Sequence, residues 1–371
     1  MTTAPGPAMH PEQFFSATYR DARQAFLDAC HACSARVDQH LHPRAGRDGE
    51  VLATDVARLG PDDAGRVFMT MSATHGVEGF CGSGVQTGAL LSGLYNGRDD
   101  DVAVVLIHAI NPFGFSWLRR VTHENVDLNR NHVDHDQPYA TNEGYEELKE
   151  ALCPDEWTAE SRARCRAVME SYRERLGDMA LQGAISAGQY SHPQGLFYGG
   201  SAPSWSATTL TSIVRRHAAG ARHVALLDYH TGLGPFGVGE LISDHEAGEP
   251  GHRRLVDWFG EGAVTSTSDG SSVSAPLTGT NNLAVAGAAD QARLTMATLE
   301  YGTSPLDEVL ESLMADCWLH NHGDLDSDLG RAIKAEIRRC FYPDTGIWKE
   351  MVFDRAKAVE KTMLAGLAAQ Q

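Results

Sequence analysis

His75 and Glu78 stand three residues apart in A-T-H-G-V-E-G, directly after the apolar run V-F-M-T-M-S. An imidazole and a carboxylate are thereby expected at the carboxyl end of a strand, where open α/β sheets bind their ligands. One nitrogen and one oxygen ligand suit zinc. A second strand-end histidine, His230, closes the run L-L-D-Y-H-T-G-L-G, and Asp228 shares its side of that strand because side chains two apart share a face. His75, Glu78 and His230 together make a three-ligand set that leaves one position for water, as catalytic zinc sites do. Taken singly each signal is generic: a turn histidine beside a solvated glutamate, and a structural histidine at a strand end.

The stretch from Asn111 to Asn131, N-P-F-G-F-S-W-L-R-R-V-T-H-E-N-V-D-L-N-R-N, is not generic. It resembles the zinc carboxypeptidase superfamily (carboxypeptidase A-like and aspartoacylase-like), whose members carry N-P-x-G, then an arginine, then D-L-N-R-N. With H-x-x-E upstream and D-x-H downstream, the elements follow the family's order across residues 75 to 302. The likeness is nearest to a bacterial branch catalogued as a domain of unknown function, marked by H-G-V-E-G-F-x-G-S, N-P-x-G-F-x-W-x-R-R, G-L-F-Y-G-G and D-Y-H-T-G-L-G-P.

The resemblance implies one Zn2+ per chain on His75, Glu78 and His230, with Asp127 orienting the imidazole of His75. Asn129 and Arg130 would grip a substrate carboxylate, which a guanidinium matches with two parallel hydrogen bonds. Arg120, nine residues before Asn129, would polarise the scissile carbonyl. Arg119 is its rival there and a further substrate-binding candidate. Glu300, ending the apolar run T-M-A-T-L-E, would be the general base that takes a proton from water and delivers it to the leaving amine. The implied activity is metallocarboxypeptidase-type cleavage of an amide beside a carboxylate-bearing residue in a small anionic peptide. The alternative is aspartoacylase-like deacylation of an N-acyl amino acid or specialised metabolite. One departure bears on the choice: digestive carboxypeptidases carry a mobile tyrosine between the last zinc histidine and the catalytic glutamate, and this chain has no tyrosine from Thr231 to Leu299. A noncatalytic binder on the same fold would usually have lost a ligand or the base, and all are present.

Other residues take plainer readings. His108 reads as a satisfied core histidine, and His123, His132 and His135 as solvated loop histidines. G-S-G at 82–84 is no nucleophile elbow, because Cys81 and Val85 stand where glycines are required. Tyr198, Gly199, Gly200 and Trp205 are candidate pocket walls, and Glu240 is a candidate for the pocket floor.

The elements that must position these groups come from hydrophobic periodicity. Apolar runs at 51–59, 66–74, 101–110, 223–230 and 295–302 read as strands covered on both faces. Helical patterns fall at about 12–42 (an N-terminal lead-in), 81–95, 143–153, 157–175, 305–319, 326–340 and 353–369. The alternation predicts an α/β fold, a mixed, largely parallel twisted sheet with helices on both faces, in a single domain over 1–371. The Gly/Ser-rich piece at 266–288 reads as an active-site loop, and residues 1–11 as a weakly structured lead-in. The formal net charge of -18 argues against nucleic-acid and anionic-membrane partners. It also opposes an anionic substrate, so a local cationic pocket must outweigh it. Seven scattered cysteines and no leader-like or membrane-spanning run point to a cytoplasmic protein. Self-association is expected only by analogy with aspartoacylase-type relatives.

Overall fold

The computed structural model describes residues 10–274 and 277–371. Its sheet has eight strands among these residues: β1 Arg36–Ala45, β2 Val51–Leu59, β3 Arg66–Met71, β4 Val102–His108, β5 His223–Phe236, β6 Gly239–Ser243, β7 Thr265–Ser266 and β8 Arg293–Gly302. Their order is β1-β2-β4-β3-β5-β8-β6-β7. The four central strands, β4-β3-β5-β8, run parallel. Antiparallel neighbours flank them, β2 beside β4 and β6 beside β8. The mixed, largely parallel sheet read from the sequence is what forms.

The central strands are apolar on both sides because both faces are covered. Phe68, Val104, Leu106, Ala225, Leu227, Ala297 and Leu299 pack on one face with residues of the helices Tyr19–Ala32, Gly79–Leu91 and Gly346–Ala368. The alternate residues Val67, Met69, Val105, Ile107, Val224, Leu226 and Met296 face the helices Trp205–His217 and Asn281–Ala288. A third cluster joins helices Glu143–Leu152, Ala159–Leu176, Asp178–Ser186, Leu306–His322 and Asp328–Phe341 beside the carboxyl ends of the central strands.

The expected helix over 12–42 is shorter. A single turn, Pro11–Phe14, precedes Tyr19–Ala32, whose Thr18 cap accepts the Asp21 N–H. The helix ends at Cys33, Ser34 turns left-handed at φ 54°, and β1 follows. The lead-in at 1–11 lies outside the described residues apart from His10 and Pro11. No described helix is long and apolar enough to cross a membrane.

One buried acid belongs to the scaffold rather than to the site. Glu360 is fully buried and accepts the hydroxyls of Tyr95, at 2.6 Å, and Tyr229. Burial pushes its carboxyl up to about 7 despite both hydrogen bonds. Because the folded value lies above the unfolded one, its stabilising contribution is complete below about pH 4.5 and is lost as pH rises through about 7. Glu360→Gln keeps an acceptor for the tyrosines and cannot ionise. Relative to wild type, this variant is expected to gain about 3 kcal/mol of stability between pH 4.5 and 8. Parallel denaturant titrations across that range check this, and a constant difference would refute it.

Candidate metal centre

The carboxyl ends of β3, β4, β5 and β8 converge on one spot. His230 of β5 lies directly opposite Glu300 of β8, and Met71 of β3 lies opposite Asp228 of β5. Just past β3 and β4, Ala73 and Ala109 adopt left-handed φ values of 62° and 59°, costing roughly 1–2 kcal/mol each. Ser72 holds both turns: its Oγ accepts the Ala109 N–H and its carbonyl the Ile110 N–H. The crossing strand ends thus aim Thr74-His75 and Asn111 over the sheet edge.

His75 precedes the single turn Gly76–Glu78, which runs into Gly79–Leu91. The turn packs on the Asn111–Arg120 stretch: Gly76 N donates to Arg120 O at 3.0 Å and Val77 N to Arg119 O at 2.8 Å. A Cβ on Gly76 would lie 2.0 Å from the Gly114 carbonyl carbon, a clash between two backbones. This close approach explains why H-G-V-E and N-P-F-G occur together. Gly76→Ala is expected to displace His75 and Glu78 and to weaken divalent-metal affinity at least about 10-fold. A metal titration of the folded variant tests it, and wild-type affinity would refute it.

His75 Nδ1 stands 2.8 Å from Glu78 Oε1, and His230 Nδ1 stands 3.2 Å from Glu78 Oε2 and 3.2 Å from His75 Nδ1. Tetrahedral zinc with bonds of about 2.0–2.1 Å separates its ligands by roughly 3.3 Å, so the three atoms lie near the spacing the ion requires. The other ring nitrogens face carboxylates. His230 Nε2 donates to Asp228 at 2.9 Å, and His75 Nε2 lies 3.3 Å from Asp127 Oδ1, though not aligned as a hydrogen bond. Both imidazoles therefore turn Nδ1 inward, the arrangement of carboxylate-backed metal histidines. Burial alone would raise the Glu78 carboxyl, but His75 and His230 hold it well below the carboxylate range. Burial would lower His230, but Asp228 and Glu78 raise it well above the usual histidine value.

Asp127 caps the turn Leu128–Arg130, its Oδ1 accepting the Asn129 N–H, while Oδ2 accepts Arg120 Nε at 2.9 Å. The same carboxylate thus fixes D-L-N-R-N, faces His75 and holds Arg120. Burial opposes its charge, but Arg120, His75 and Arg130 outweigh that and keep it ionised. Arg120 Nη1 also reaches Glu78 Oε1 at 3.4 Å. Arg119, its neighbour, does not reach the cavity: its Nε donates to Asp316 and its Nη2 to Asn125. Leu118, at φ 51°, precedes the pair.

A cavity of about 540 Å³ opens over the three ligands, lined also by Arg120, Asn129, Arg130 and Glu300. That volume suits a small-molecule ligand. Glu300 Oε1 accepts the Leu233 N–H at 3.0 Å, and burial together with the Glu78 charge pushes its carboxyl up to about 8. Arg130 is buried, and its Nε and Nη2 donate to Ser186 O and its Nη1 to Asn129 O. Burial lowers its pKa to about 10, so it stays cationic at neutral pH.

Several plainer expectations change, and the one for His108 holds. Tyr198, Gly199, Gly200 and Trp205 are not on the cavity wall; Phe197 is, stacked near Arg120 and Arg130. Glu240 does not form the floor, because its carboxylate accepts the Thr265 hydroxyl between β6 and β7. His108 is a core histidine, bonded to Ser83 at 2.9 Å and stacked on Phe26. His132 is half-buried and bonded to Asn281 rather than solvated.

The Gly/Ser-rich piece does reach the site, except that 275–276 lie outside the described residues. Its Asn281 donates to Thr74 Oγ1, which in turn donates to Asp228. Thr74, Asn281 and Asp244 are site residues that the sequence reading missed. Thr74 was adjacent to a legible motif, whereas nothing in the sequence singled out the other two.

Residues 15–355 match the family described as Protein of unknown function, DUF2817. The chain belongs to that family. No curated protein matches it. Among solved structures it is similar to carboxypeptidase A from Helicoverpa armigera, at 13% identity and a TM-score of 0.46 over 92% of this chain and 74% of that one. Succinylglutamate desuccinylase from Chromobacterium violaceum aligns at 15% identity and 0.37, over 86% and 74%. Murein-tripeptide amidase MpaA from Escherichia coli O157 aligns at 13% and 0.35, over 78% and 93%.

Proposed function

We propose that this DUF2817 protein is a zinc-dependent hydrolase that cleaves an amide bond beside a carboxylate-bearing residue. The observation that carries the reading is one cavity that brings together the inward-facing His75, Glu78 and His230 atoms, the Glu300 carboxylate and the cation of Arg130. A zinc ion on the three ligands would supply Lewis acidity and acidify a water toward pKa ~7. Glu300, oriented by the Leu233 N–H, takes the proton of the attacking water and passes it to the leaving nitrogen. Arg120, held by Asp127, donates toward the oxygen on which negative charge develops. Arg130 and Asn129 hold the substrate carboxylate and supply the local positive field that the chain's net charge of -18 lacks.

A second reading within the same chemistry is deacylation of a small N-acyl amino acid, as named for the desuccinylase above. It is favoured by the cavity wall, which includes Phe197 and Phe341 but no tyrosine among the described residues.

The deciding experiment is elemental analysis of the purified protein together with a panel of N-acyl amino acids and dipeptides. About one zinc per chain, and cleavage that a chelator stops and zinc restores, is the expected result. Protein that takes up no divalent metal would overturn the proposal.

A further inference from the structure

We propose that Asp244 sets the side-chain selectivity of the cavity, favouring substrates whose side chain ends in an ammonium or guanidinium group. This rests on the hydrolase reading above and names its substrate class. Asp244 follows β6, whose Ile242 pairs with Thr298 of β8. Thr298 lies two residues before Glu300, about 7 Å along the strand on the same side, and all three line the cavity. Asp244 is fixed by its surroundings: its N–H donates to Met296 O, its carbonyl accepts Asn282 Nδ2 at 2.8 Å, and both carboxylate oxygens lie 3.2 Å from the Thr298 hydroxyl.

That hydroxyl is the carboxylate's only hydrogen-bond donor among the described residues, and no Lys, Arg or His there lies within ion-pair distance of it. His230 acts on it only from beyond ion-pair distance, and the neighbouring His245 uses Nε2 to accept the Met296 N–H and so carries a lone pair rather than a proton on that nitrogen. The cavity's three arginines are engaged elsewhere, Arg120 by Asp127, Arg130 by backbone carbonyls and Arg173 by Glu170, Asp178 and Asp307. Burial, reinforced by Asp228, raises the Asp244 carboxyl to about 7 against the opposing effects of His230 and the Thr298 hydroxyl. The cavity wall away from the arginines therefore presents an acid whose counter-charge no ion pair among the described residues supplies. A cationic side chain would supply that charge, whereas an apolar one would leave the group facing it neutral and desolvated. A flexible four-carbon stem ending in an ammonium can reach past Glu300 to this wall while its carboxylate stays on Arg130.

The test compares lysine, norleucine and glutamate, each as the α-N-acetyl and N-alanyl derivative, on the zinc-loaded wild type, Asp244→Asn and Asp244→Arg. Metal content and melting temperature establish that each variant is folded. The expected result is a kcat/KM for lysine over norleucine of roughly 10- to 100-fold in wild type, falling toward one in Asp244→Asn. Asp244→Arg should move the preference to glutamate. Wild type that cleaves norleucine as well as lysine, or an Asp244→Asn variant that keeps the ratio, overturns the proposal and leaves the hydrolase reading intact. If wild type cleaves none of the panel, the hydrolase reading fails, and binding of the three free amino acids by calorimetry decides the selectivity separately. Lysine binding at least about 10-fold tighter than norleucine, lost in Asp244→Asn, supports it; equal binding or no binding overturns it.

Discussion

Glu300→Gln is expected to lower kcat by roughly 10²–10⁴-fold while zinc content stays at the wild-type level. The side chain sits at the end of β8 opposite His230 and is not one of the three inward ligands. Gln is nearly the same shape and can still accept the Leu233 N–H through its amide oxygen, so position is preserved and proton transfer is lost. Burial and the Glu78 charge push the Glu300 carboxyl up to about 8. A dication on the three ligands would add positive charge beside it and pull that value down toward an ionised base at neutral pH. Retention of kcat within about ten-fold in a folded, zinc-replete variant would remove Glu300 from the chemistry. Loss of zinc together with activity would mean that it holds the metal instead.

Much of this site was legible because its residues sit at the ends of buried central strands. β5 and β8 begin as nearly continuous apolar runs, so Asp228, His230 and Glu300 could be placed at the strand ends from hydrophobicity alone. The two ends of the sheet were not legible for the opposite reason. β1, R-V-D-Q-H-L-H-P-R-A, is an edge strand that is largely solvent-exposed, so no apolar run marks it and the preceding helical period was carried through it. β6 has five residues and β7 two, too few to show a period. Arg119 and Arg120 are adjacent, and what separates them is the backbone turn at Leu118, which sends one to Asp316 and the other to Asp127. Asp244, just past β6, and Asn281, the first residue of the helix Asn281–Ala288, reach the site by approaches set by packing on β8 and on Thr74. A carboxylate's environment in a cavity is a property of its neighbours, and local sequence does not carry it.

Arg130 should show the second large effect. Its five N–H donors make three hydrogen bonds to the carbonyls of Ser186 and Asn129, which leaves one N–H on each terminal nitrogen. No carboxylate among the described residues lies within ion-pair distance, and burial has lowered its pKa only to about 10. A buried, oriented guanidinium with only the longer-range charge of Asp127 to offset it is costly unless an anion arrives with the ligand. Arg130→Ala is therefore expected to cost about 2–5 kcal/mol of transition-state binding for carboxylate-bearing substrates, roughly 30- to 5,000-fold in kcat/KM. Arg130→Lys keeps a charge but loses the two-pronged match, so it should recover only part of the loss. The discriminating control caps the substrate carboxylate as an amide. Wild type should then fall close to the alanine variant's level, because the group that Arg130 meets is gone from the other side. If Arg130→Ala instead lowers capped and uncapped substrates by the same factor, the arginine's work is to hold the Ser186 and Asn129 backbone in place. The carboxylate would then have to be bound by another cation of the cavity, of which Arg120 is the nearest to the metal ligands.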